Sequence, residues 1–78
     1  MKSNMNDIII KDCNSLILQL KERRISLGYT QREIAEKVCI PQSTLARLES
    51  GVLFPRIDTL IKIGTALGLK IIAIEEKK

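Results

Sequence analysis

Gln42, Ser43, Thr44 and Arg47 lie close together in this 78-residue chain, and each offers hydrogen-bonding groups without negative charge. A carboxamide pairs in two-point fashion with adenine, and a guanidinium does the same with guanine. Without a base paired to a hydroxyl, such side chains recognise rather than react. Residues 37–48 contain neither Asp nor Glu, although a helix face that is merely solvated usually carries one. The absence favours a face turned toward an anionic polymer over an ordinary solvated hairpin.

The rest of the composition narrows the class. The chain has no His and a net charge of +4, so the commonest general base and metal ligand are missing. No nucleophile–base pair, metal-ligating set or phosphate-cradling glycine loop is present, and we expect a protein that is not an enzyme, with no cofactor and no metal. The charge favours an anionic partner but is weak evidence alone. Cys13 and Cys39 lack paired motif spacing and read as small buried apolar residues in a reducing cytoplasm. Lys2-Ser3-Asn4 after Met1 is no apolar signal segment, and no stretch is long enough to span a bilayer, which suggests a cytoplasmic protein free of membrane.

Positioning those four side chains requires a scaffold, and its punctuation is explicit. Residues 1–11 read as an N-terminal arm, with Ile8-Ile9-Ile10 as a brief strand or packing arm. Asp12 is a helix N-cap. Leu16, Ile17, Leu20, the stem of Arg24 and Leu27 then share one face of a helix from Cys13 to Leu27, stopped by Gly28. Thr30 with Glu33 forms a capping box for a helix from Gln31 to Val38 that buries Ile34, Ala35 and Val38. Cys39 and Ile40 make a tight connection, and Pro41 suits the first turn of a helix to about Glu49. That helix turns Leu45 and Leu48 inward. After a loop fixed by Pro55, a fourth helix from about Ile57 to Leu67 is expected to bury Ile57, Leu60, Ile61 and Leu67. Leu69-Lys70-Ile71-Ile72-Ala73-Ile74 is apolar on both alternating faces and reads as a strand, followed by a solvated tail.

Two short helices joined by a tight turn hold the second helix clear of the body, where it fits a major groove roughly 12 Å wide. Their close crossing demands a small residue, and position 35 is Ala.

These residues resemble the Cro and lambda-repressor-like (XRE) helix-turn-helix family. The resemblance runs through Arg24, Leu27-Gly28-Tyr29-Thr30-Gln31, Glu33-Ile34-Ala35, Gln42-Ser43-Thr44 and Arg47-Leu48-Glu49-Ser50-Gly51. It continues through Pro55, Thr59-Leu60 and Ala66-Leu67-Gly68. It implies a mainly α fold, a compact bundle of four to five helices with the helix-turn-helix domain at residues 12–68. It further implies that Gln31 bonds a phosphate and braces Gln42, and that Gln42, Ser43 and Arg47 face base edges. Thr44 and Arg56 would contact the backbone of double-stranded DNA, with Arg32 also on the DNA side. Arg24 and Glu49 match a buried salt bridge; the alternative is two unrelated surface charges.

Three positions depart from the family pattern. Cys39 stands where Gly is usual, Pro41 where a capping Ser is usual, and Val52-Leu53-Phe54 where Lys or polar residues are frequent. That apolar trio is either a flap over the core or a patch for a partner.

Residues 69–78 are expected to form a dimerisation strand and tail. Leu69, Ile71, Ile72, Ala73 and Ile74 would pair either with Ile8–Ile10 of the same chain or, as we prefer, across the two-fold axis of a homodimer on palindromic DNA. The layout is also similar to the HipB-type antitoxins, which implies a repressor of its own operon with a protein toxin partner. A free-standing repressor of phage, restriction-modification or metabolic origin is the alternative. A protein-interaction module on the same scaffold fits less well, because the recognition face is intact.

Overall fold

A computed structural model describes residues 12–71. They form four helices: α1 (Cys13–Ser26), α2 (Gln31–Val38), α3 (Gln42–Glu49) and α4 (Ile57–Ala66). Local chemistry sets the starts. The Asp12 carboxylate accepts from the Ser15 N–H at 2.7 Å and caps α1. Thr30 Oγ1 accepts from the Glu33 N–H at 3.0 Å, while Glu33 Oε1 accepts from the Thr30 N–H at 2.9 Å. Two of the orphan donors at the head of α2 are thereby satisfied. Each capping carboxyl is held below its ordinary value by the backbone N–H that it binds.

Every helix closes on a residue of positive φ. Gly28, Gly51 and Gly68 do so after α1, α3 and α4, and Cys39 (φ 60°) after α2. At the end of α4, the Leu69 N–H donates to the Gly64 carbonyl at 2.8 Å and the Gly68 N–H to Thr65 at 3.0 Å. This reversal binds otherwise orphaned carbonyls and requires the left-handed conformation that glycine tolerates best.

The core gathers Leu20, Ile34, Ala35, Val38, Leu45, Leu48, Leu60, Ile63 and Leu67, with Leu16, Tyr29, Ile40 and Ala66 packed at its edge. Ile34, Leu45 and Leu67 are fully buried, one from each of α2, α3 and the cap of α4. Burying a side chain of this size contributes about 1.5–3 kcal/mol.

Five expectations are corrected. On α4 the buried residues are Leu60, Ile63, Gly64 and the capping Leu67, whereas Ile57 is 66% and Ile61 47% exposed. Two apolar stripes run along this helix, and only the one at 60, 63 and 67 meets the core. Val52 is 78% and Phe54 87% exposed, so residues 52–54 are not a flap over the core. Leu27 caps α1 and is exposed, not buried in its face. Cys39 is exposed and Cys13 only half-buried; both are free thiols. Residues 69–71 form no strand, and Ile72, Ala73 and Ile74 lie outside the described residues, as does Ile8–Ile10.

Candidate nucleic-acid interface

The α2–α3 unit places its two helices at close quarters over Ala35, which is buried. At the turn, Cys39 takes the left-handed conformation that a glycine would take without strain. Its backbone still closes α2: the Ile40 N–H donates to the Ala35 carbonyl at 3.0 Å. Pro41 follows as the N-cap of α3 with extended backbone, and no side chain caps that helix. Its first turn holds no acid, which leaves the positive end of the α3 dipole unneutralised.

On α3, Leu45 and Leu48 are buried while Gln42, Ser43 and Arg47 are exposed and Thr44 is half-buried. The helix therefore anchors one side in the core and presents the other to solvent. Arg32 and Arg56 are exposed as well. Each lies beside a carboxylate, Arg32 Nε 3.3 Å from Glu36 Oε1 and Arg56 Nε 3.4 Å from Asp58 Oδ1. Pairs this exposed contribute little, so both guanidiniums are available to phosphate at small cost.

Behind α3 sits a buried polar knot. Arg24 Nε donates to Glu49 Oε2 at 2.8 Å and Arg24 Nη2 to Glu49 Oε1 at 3.0 Å. The two side chains are only 10% and 7% exposed. Arg24 Nη1 donates to the Tyr29 carbonyl at 2.6 Å, and Gln31 Nε2 to Glu49 Oε1 at 3.0 Å. The Arg24–Glu49 pair thus ties the end of α3 to α1, to the α1–α2 loop and to the first residue of α2. Two-point guanidinium–carboxylate pairing adds geometric definition to the Coulomb attraction. No buried side-chain polar atom among the described residues lacks a partner.

Gln31 was expected to brace Gln42; its side-chain bond goes instead to Glu49. The carboxamide keeps a second N–H, which leaves a donor for phosphate. One positioning residue was missed in the sequence: Arg23 Nε donates to the Leu67 carbonyl at 3.1 Å and fastens the end of α4 to α1. Its signal, a basic residue in the last turn of a helix, is too common to point across 44 residues.

Among the described residues no group of three His, Cys, Asp or Glu converges to hold a metal ion. No described helix is long and apolar enough to cross a membrane.

A two-helix unit whose second helix presents an acid-free outward face defines a helix-turn-helix domain. Residues 20–74 match the helix-turn-helix family HTH_3, and the chain belongs to this family of XRE type. The chain is similar to HTH-type transcriptional regulator ImmR of Bacillus subtilis (strain 168), with 45% identity over 49 residues. That stretch is 63% of this chain and 39% of ImmR, so the chain spans well under half of that relative. The fold is similar to HipB in a complex with an O2 20mer, at TM-score 0.81 and 28% identity, covering 92% of this chain and all of that one. It is also similar to SinR, a master regulator for biofilm formation, in complex with DNA, at TM-score 0.65 and 28% identity over 70% of this chain and 89% of that one.

Proposed function

We propose that this chain is a cytoplasmic, sequence-specific transcriptional repressor that binds double-stranded DNA through the exposed face of α3. The observation that carries the reading is the combination of an uncharged-to-basic outer face on α3 with the buried Arg24–Glu49–Gln31 knot behind it. Gln42, Ser43 and Arg47 are the base-reading residues. Gln31, Arg32, Thr44 and Arg56 contact sugar and phosphate and fix register. SinR, similar in fold, is seen in complex with DNA, and HipB in complex with an O2 20mer, which supports this assignment. The repressor acts as a homodimer on a palindromic operator, with residues 69–74 contributing to the pairing.

The finer role is that of an antitoxin that represses its own operon. Supporting it is the similarity to HipB in a HipA–HipB–O2–O3 complex, at TM-score 0.80 over 91% of this chain. A free-standing regulator is the second reading, favoured by the higher identity to ImmR.

Fluorescence anisotropy with labelled duplex from the chain's own upstream region tests the DNA reading. Binding should weaken steeply with salt, because each phosphate contact releases condensed counterions. Affinity insensitive to salt contradicts the phosphate contacts.

A further inference from the structure

Val52, Leu53 and Phe54 follow α3 as three consecutive exposed apolar residues, a run that a surface loop carries only where it makes a contact. The backbone beneath them is tied down. The Val52 and Leu53 N–H groups both donate to the Arg47 carbonyl, at 3.0 and 3.3 Å, and Ser50 Oγ donates to it at 3.1 Å. Phe54 precedes Pro55, which confines it to extended backbone. Arg56 is extended as well (φ −76°, ψ 151°). Apolar side chains are thus held out to solvent from a braced loop.

The place of the loop indicates what it meets. It is fastened to the carbonyl of Arg47, which reads a base edge in the function proposed above, and it runs into Arg56, which contacts phosphate there. Phe54 stands two residues from Arg56, a span of at most about 7 Å. Along the chain it therefore lies between a base-reading group and a phosphate-binding one. On a DNA strand, the unit between base and phosphate is the deoxyribose.

The chemistry of the loop agrees. Residues 50–57 contain no acid, and Arg56 is their one cation. The N–H groups of Ser50, Gly51, Val52 and Leu53 are spent within the protein, on the carbonyls of Ala46, Leu48 and Arg47, and Pro55 has none. Residues 50–53 therefore keep no main-chain N–H for a phosphate. What the loop offers a duplex ahead of Arg56 is apolar surface, and the sugar carbons are the apolar part of the strand's backbone.

We propose that Phe54, with Val52, packs against deoxyribose on the strand whose phosphate Arg56 contacts. The proposal rests on the DNA reading above and gives that interface an uncharged component. Such a contact releases no counterion, so the affinity it adds persists as salt rises.

Fluorescence anisotropy over a salt series tests this with the full chain, Phe54→Ala and Phe54→Lys, on labelled duplex from the chain's own upstream region. Far-UV circular dichroism establishes that both variants remain folded, as expected where so exposed a side chain is replaced. Phe54→Ala should weaken binding on the order of tenfold at every salt concentration, with the slope of log affinity against log salt unchanged. Phe54→Lys sets an ammonium beside the strand and should steepen that slope by about 0.9 per subunit bound. A duplex with deoxyuridine in place of every thymidine loses the base methyls and keeps the sugars, so the ratio of wild-type to Phe54→Ala affinity should not change on it.

Phe54→Ala binding as tightly as the wild type overturns the proposal and leaves the loop to a protein partner. A shallower slope for Phe54→Ala, or a wild-type slope for Phe54→Lys, overturns it too. A ratio that falls to one on the deoxyuridine duplex moves the contact from the sugar to a thymine methyl and also overturns it. Failure of the DNA reading looks different: the wild type itself would show no salt-dependent binding to the duplex.

Discussion

Glu49 accepts three hydrogen bonds, from Arg24 Nε, Arg24 Nη2 and Gln31 Nε2. Replacing it with Ala strands a buried guanidinium, and urea denaturation should show a loss of about 3–5 kcal/mol. A midpoint near wild type would mean that the knot does not hold the helices. Cys39 offers the opposite case. Its left-handed conformation (φ 60°) costs an L-residue roughly 1–2 kcal/mol, part of which glycine loses again through the greater freedom of its unfolded chain. Cys39→Gly should therefore raise stability by up to about 1 kcal/mol, measured by the same denaturation. At this scale the Arg24–Glu49 pairing was legible through the family resemblance, whereas the Gln31–Glu49 bond was not. A carboxamide has several partners within reach, and only packing decides among them.

Helix boundaries were the most legible feature, because the residues that set them act locally. Asp12 and the Thr30–Glu33 box lie at the starts, and Gly28, Gly51 and Gly68 lie just past the ends. What remained hidden was which of two apolar stripes on α4 meets the core. Periodicity reports that a helix has apolar positions, but neighbouring elements choose the stripe, and here they chose Leu60, Ile63 and Leu67 over Ile57 and Ile61. Residues 52–54 follow the same logic: hydrophobicity alone does not distinguish a flap from an exposed loop. The capping box also carries a pH dependence. Glu33 is held below its ordinary 4.5 by the Thr30 N–H and hydroxyl, so its folded value is depressed. Its contribution to stability is complete above the ordinary value and is lost as the pH falls through the depressed one. Between about pH 5 and 3, Glu33→Ala should lose less stability than the wild type does. Parallel acid titrations followed by circular dichroism would contradict the cap if the two curves declined equally.

For the whole molecule, the fold separates the elements that hold α3 from the exposed face that we propose reads DNA. α1 and α4 supply the support: Arg24 ties α1 to the end of α3, and Arg23 ties α1 to the end of α4. α2 and α3 are then free to turn Gln42, Ser43 and Arg47 outward. Selection of bound duplexes from a random pool, with wild type and Arg47→Ala in parallel, tests that division most directly. The wild type should enrich a two-fold symmetric motif with half-sites about 34 Å apart. Arg47→Ala should lose preference at one base pair per half-site, with binding to the selected duplex weaker by about 1–3 kcal/mol. A uniform loss across all sequences, or no enriched motif for the wild type, would contradict the account.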